Sequence, residues 1–166
     1  MIYVEALECL KEDVEGMSIF LAGGISNCPD WQQEMVQLFS DTDLILFNPR
    51  RKNFPIGDPG AALEQIRWEH NHLRESSAIL FWFPCETICP IVLYELGAWS
   101  MTGRPIFVGV HPYYERKQDV EIQTHLARPK VNIVYSLKEL AEQVRNWRHT
   151  MLYRADFERW RSEGKS

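Results

Sequence analysis

Short apolar runs alternating with segments of helical spacing constrain this chain more than any single residue does. Ser18–Leu21, Leu44–Phe47, Ala78–Phe83, Pro105–Val110 and Val131–Tyr135 read as strands. Gly23-Gly24, Asn48-Pro49 and Pro84 stop the first three. Runs that are apolar without polar alternation belong to strands covered on both faces. Between them, Asp30–Ser40 repeats Trp31, Met35 and Leu38 at three and four. Ala61–Glu75 reads as a second helix and Leu137–Trp147 as the last. Ile91–Met101 is a third, with Pro90 at its start, where a missing N–H costs nothing. Alternation of this kind predicts an α/β fold: a doubly wound, five-stranded parallel sheet with helices on both faces.

At 166 residues the chain is expected to form one domain. Residues 1–16 are read as an edge strand or an arm, and 148–166 as a C-terminal tail. The net charge of −5 and the lack of a basic stripe argue against a nucleic-acid polymer as partner. No run reaches the roughly 18 apolar residues of a membrane span. The first residues lack the basic region of a signal peptide, so a cytoplasmic protein is expected. Of the four cysteines, Cys85 and Cys89 are spaced C-x3-C with no His or second pair nearby. Reduced thiols are therefore expected, and no metal.

In a doubly wound sheet, ligands bind beyond the carboxyl ends of the strands. The first segment there reads Ala22-Gly23-Gly24-Ile25-Ser26-Asn27. It suits either close backbone approach to a sugar or anion, or a tight turn capped by Ser26 or Asn27. Glu95 falls on the apolar stripe of its helix, three after Val92 and four before Trp99. A carboxyl on such a face is paired, at the border reaching solvent, or functional. Glu69 lies in the same way among Ala62, Ile66 and Leu73. Two inward carboxyls suit glycosyl transfer, where one attacks or stabilises an oxocarbenium-like carbon and the other orients the sugar or handles protons.

Phe20-Leu21-Ala22-Gly23-Gly24-Ile25, Trp68-Glu69, Tyr94-Glu95-Leu96-Gly97 and Gly103-Arg104-Pro105 together resemble the nucleoside 2-deoxyribosyltransferase superfamily, which includes the 2'-deoxynucleoside 5'-phosphate N-hydrolases. The resemblance spans roughly residues 17–147 and implies a flavodoxin-like sheet and no cofactor. It implies that Glu95 attacks the anomeric carbon and forms a covalent glycosyl–enzyme intermediate. Glu69 takes the place of the Asp that contacts the sugar. Tyr94 or Tyr113 could hold Glu95 through a hydroxyl, and Glu86 could replace an acid that precedes the nucleophile helix in many transferases. Homo-oligomers are implied as well.

Further candidates lie along the same edge. Arg50 could bind a 5'-phosphate, while Arg51 reads rather as an anchor of its loop. Asn48 either hydrogen-bonds the sugar or caps the turn. His111 is a conceivable proton carrier or a plain loop residue. The expected function is cleavage or transfer of the N-glycosidic bond of a nucleoside or nucleotide. The alternatives are a glycohydrolase of an NAD-type dinucleotide, with the Pro49–Gly60 loop as its cover, and a nucleotide sensor without turnover.

Overall fold

The computed structural model describes residues 1–10, 14–53, 55 and 58–163. Its elements in chain order are β1 (Ile2–Glu5), β2 (Ser18–Gly23), α1 (Trp31–Leu38), β3 (Ile45–Asn48), α2 (Pro59–Glu75), β4 (Ala78–Phe83), α3 (Pro90–Ser100), β5 (Ile106–Val110), α4 (Lys117–Ala127), β6 (Ile133–Val134) and α5 (Leu137–Glu163). All strands are parallel, in the order β1-β3-β2-β4-β5-β6. Without β1 this is the 2-1-3-4-5 order of a flavodoxin-like sheet.

The sheet has six strands rather than the expected five. The extra one is β1, which pairs Ile2–Glu5 with Ile45–Asn48 and makes the N-terminal segment an edge strand. Only Val4 of its four residues is buried. Part of that segment, residues 11–13, lies outside the described residues, as do 54, 56 and 57 of the loop read as a ligand cover. Helix α4 was not expected either. Its buried side chains are Val120 and Thr124, too few to write an apolar period. Helix α5 runs on to Glu163 where a tail after Trp147 was expected.

Successive strand residues serve opposite layers. Ile19 and Leu21 pack with Trp31, Met35 and Phe39 at α1 and with Leu140 and Val144 of α5. Phe20 and Ala22, between them, join Trp68 and Leu73 of α2, Val92 and Leu96 of α3 and Val120 of α4. The chain winds one way from β2 to β3 and the other way from β4 outward. Adjacent β2 and β4, paired through Gly23 and Trp82, therefore flank the switch point where such folds open a crevice.

Candidate active site

Two side chains keep the crevice open by being absent. A Cβ on Gly23 would stand 2.3 Å from the Trp31 ring and 2.6 Å from the Trp82 carbonyl oxygen, so only glycine fits. One on Gly24 would stand 2.6 Å from Pro84 and about 3 Å from the sulfurs of Cys28 and Cys89. The Gly24 carbonyl is held by Trp31 Nε1 at 2.8 Å and by Gln32 Nε2 at 3.3 Å. The turn after β2 is thus anchored to α1.

On the other side, α3 starts from Cys89, whose φ of 51° is left-handed and whose side chain caps no N–H. Pro90 follows in the first turn. The loop ahead of it is pinned by the Tyr114 hydroxyl, which donates to the Ile88 carbonyl at 2.5 Å. Cys89 itself is buried, and burial, with Cys28 and Glu86 adding, pushes its thiol up to about 12. It is a neutral wall of the crevice, not a nucleophile.

The crevice encloses a cavity of about 250 Å³ lined by Phe20, Ala22, Gly23–Ser26, Pro49, Glu69, Thr87, Cys89–Val92 and Glu95. That is slightly below the roughly 300–1,000 Å³ of small-molecule sites and suits a sugar-sized group whose remainder projects outward. Glu69 reaches it from α2 and Glu95 from α3. Burial, and then the charge of Glu69, push Glu95 up to about 8. Burial also raises Glu69, against a hydrogen bond of 2.7 Å from Gln65 Nε2 that lowers it. Two acids facing one small, mostly apolar space cannot both ionise cheaply. Burial of both therefore favours a pair that shares a proton.

Gly23, Gly24, Ile25, Ser26, Glu69 and Glu95 thus come together as the sequence reading expected. The other candidates stand elsewhere. Asn48 is buried under the β3 end, where its Nδ2 donates to the Tyr3 hydroxyl at 2.7 Å and its Oδ1 accepts from Arg50 N at 2.9 Å. Arg50 turns away from the cavity. Its guanidinium donates to Gln32 Oε1 at 3.0 Å, to the carbonyls of Pro29 at 3.0 Å and Gly24 at 3.3 Å, and lies 3.5 Å from Asp30. It is the clamp between the β3 loop and the β2 turn. Tyr94 and Tyr113 are 77% and 84% exposed, and neither lines the cavity. His111 stands against Trp82 and accepts from Tyr113 N, also outside the lining, as is exposed Glu86. Pro49, Thr87, Cys89 and Gln65 were not foreseen. A buried Gln one helical turn before Glu69 was the available signal for the last.

A family model described as nucleoside 2-deoxyribosyltransferase like matches residues 16–114. The chain belongs to the nucleoside 2-deoxyribosyltransferase-like family. No individually curated protein matches it. The matched span runs from just before β2 to just after β5 and carries every cavity-lining residue of this family member. Helices α4 and α5 lie beyond the match. Among the described residues no helix is long and apolar enough to cross a membrane, and no three His, Cys, Asp or Glu side chains gather as a metal site.

Proposed function

We propose that this chain breaks the N-glycosidic bond of a nucleoside, with Glu95 as nucleophile and Glu69 as the group that orients the sugar. The observation that carries this is the pair itself: two half-buried carboxyls on separate helices facing one sugar-sized cavity at the switch point of the sheet. As the bond to the base breaks, positive charge develops on the anomeric carbon and stabilises an ionised Glu95 next to it. Glu69 accepts from sugar hydroxyls. The apolar walls from Phe20, Ala22 and Val92 keep the local dielectric low, which strengthens both interactions.

The lining contains no cationic side chain among the described residues, and Arg50 is committed to the β2 turn. Two acids and no base make a poor seat for a phosphate. This favours an uncharged sugar over a 5'-phosphate, against the role that sequence position suggested for Arg50. Transfer to a second base and hydrolysis by water share the first step and part only at the second.

The test is incubation of purified protein with nucleosides, their 5'-monophosphates and NAD, with and without a free acceptor base, followed by chromatography. The expected result is free base from a nucleoside, with the rate falling by about a thousandfold or more in Glu95→Ala. Exchange with the added base identifies a transferase. Binding without consumption of any compound refutes the catalytic reading and leaves a sensor.

A further inference from the structure

The acid pair is not symmetric, and the asymmetry comes from a residue outside the cavity lining. Gln65 lies one turn before Glu69 on α2 and is 8% exposed. Its Nε2 donates to the Pro49 carbonyl at 2.8 Å and to Glu69 Oε1 at 2.7 Å. Its own Oε1 is buried with no partner among the described residues. An amide can be reversed only by exchanging its oxygen and its NH2. Reversal here would press an oxygen against two others, one of them a backbone carbonyl that never becomes a donor. Pro49 therefore fixes the amide so that it always offers an N–H to Glu69. A fixed N–H favours the charged form of the carboxyl it meets. Glu95 receives no hydrogen bond from the described residues and faces the cavity with its desolvation uncompensated.

We infer that Gln65 is a positioning residue: anchored on the Pro49 carbonyl, it holds Glu69 as the ionised member of the pair and leaves the shared proton on Glu95. The inference rests on the pair being the reacting acids of the proposed function. Other titratable groups around them do not impose this choice. Cys89 is a neutral thiol on the α3 side, Arg50 is paired with Asp30, Arg51 follows on the same β3 loop, Glu86 is exposed ahead of α3, and His72 on α2 meets the Trp68 carbonyl and ring. The gain for the reaction is order. A sugar hydroxyl arriving at Glu69 finds an acceptor ready, and by satisfying that charge it weakens the hold on the proton of Glu95. Substrate binding thereby releases the proton to solvent and frees the nucleophile.

The test is carboxyl carbon NMR of Glu-labelled protein, titrated without substrate, with Glu69→Gln and Glu95→Gln spectra for assignment. In the wild type Glu69 titrates first and Glu95 last. In Gln65→Leu, Glu69 moves up and Glu95 down, so the two steps approach each other, while the far-ultraviolet spectrum stays unchanged. Should the leucine variant fail to fold, Gln65→Met removes the donor at nearly the same length. Glu69→Gln must by itself lower the titration of Glu95. A wild type in which Glu69 titrates last, or a Gln65 variant with both titrations unmoved, overturns the assignment. Since no substrate is present, lack of turnover in the chromatographic assay would sink the glycosidic reading alone. The spectra decide the proton's place independently.

Discussion

Replacing Glu95 by Gln should make the protein more stable, and increasingly so as pH rises. Folding takes Glu95 from an ordinary value of 4.5 to about 8, first through burial and then through the charge of Glu69. A raised carboxyl binds its proton more tightly in the folded state than in the unfolded one. Between about pH 4.5 and pH 8 the unfolded chain has lost this proton and the folded chain has not, so stability falls across that window and levels off above it. At about 1.4 kcal/mol per unit, the loss amounts to about 3 kcal/mol at pH 7 and about 5 kcal/mol at pH 9. Glutamine keeps the shape and never ionises. Below pH 4.5 the two proteins should be equally stable, and at pH 9 the variant should lead by several kcal/mol. Urea unfolding at pH 4.5, 7 and 9 reads the difference directly. Parallel curves, with a constant gap between variant and wild type, would refute the buried protonated acid and the pairing with Glu69 along with it.

Two further substitutions separate structure from chemistry. Arg50→Ala should cost about 1–3 kcal/mol in urea unfolding, since it leaves the buried Gln32 Oε1 without its donor. It should leave the preference between a nucleoside and its 5'-monophosphate unchanged, and a selective loss of the phosphate-bearing compound would restore Arg50 as a ligand. Gly97→Ala should raise stability by about 0.5–1 kcal/mol in a thermal melt, because a Cβ there meets nothing within 4 Å and the helix gains a better former.

The fold was legible wherever burial on both sides wrote an unbroken apolar run, as in Ala78–Phe83, and illegible where an element touches little. β1, left open between an edge strand and an arm, has one neighbour and ends in Glu5, and α4 leaves Ile122 and Leu126 exposed. The two acids were found through helical spacing, though for Glu69 the stripe was misplaced. Ala62 and Ile66 face solvent, and the inner face runs through Ala61, Gln65 and Trp68 with Glu69 at its border. Arg50, Tyr113 and His111 follow the carboxyl ends of β3 and β5, as their sequence positions require. The direction of a long side chain depends on its rotamer and on acceptors far along the chain, such as the Gly24 carbonyl for Arg50, and no local pattern encodes that.

The switch point also decides which parts of the molecule can open without harm. β1 and β6 are each held along one side only, so transient opening of the sheet begins at its two rims. β2 and β4 lie at the centre with partners on both sides, and their amides should be among the last to exchange with solvent. The cavity borrows its rigidity from that centre. Its acids can be held at a fixed spacing while the margins breathe, and a ligand lodged between the β2 turn and α3 would tie together the two halves of the chain that diverge there.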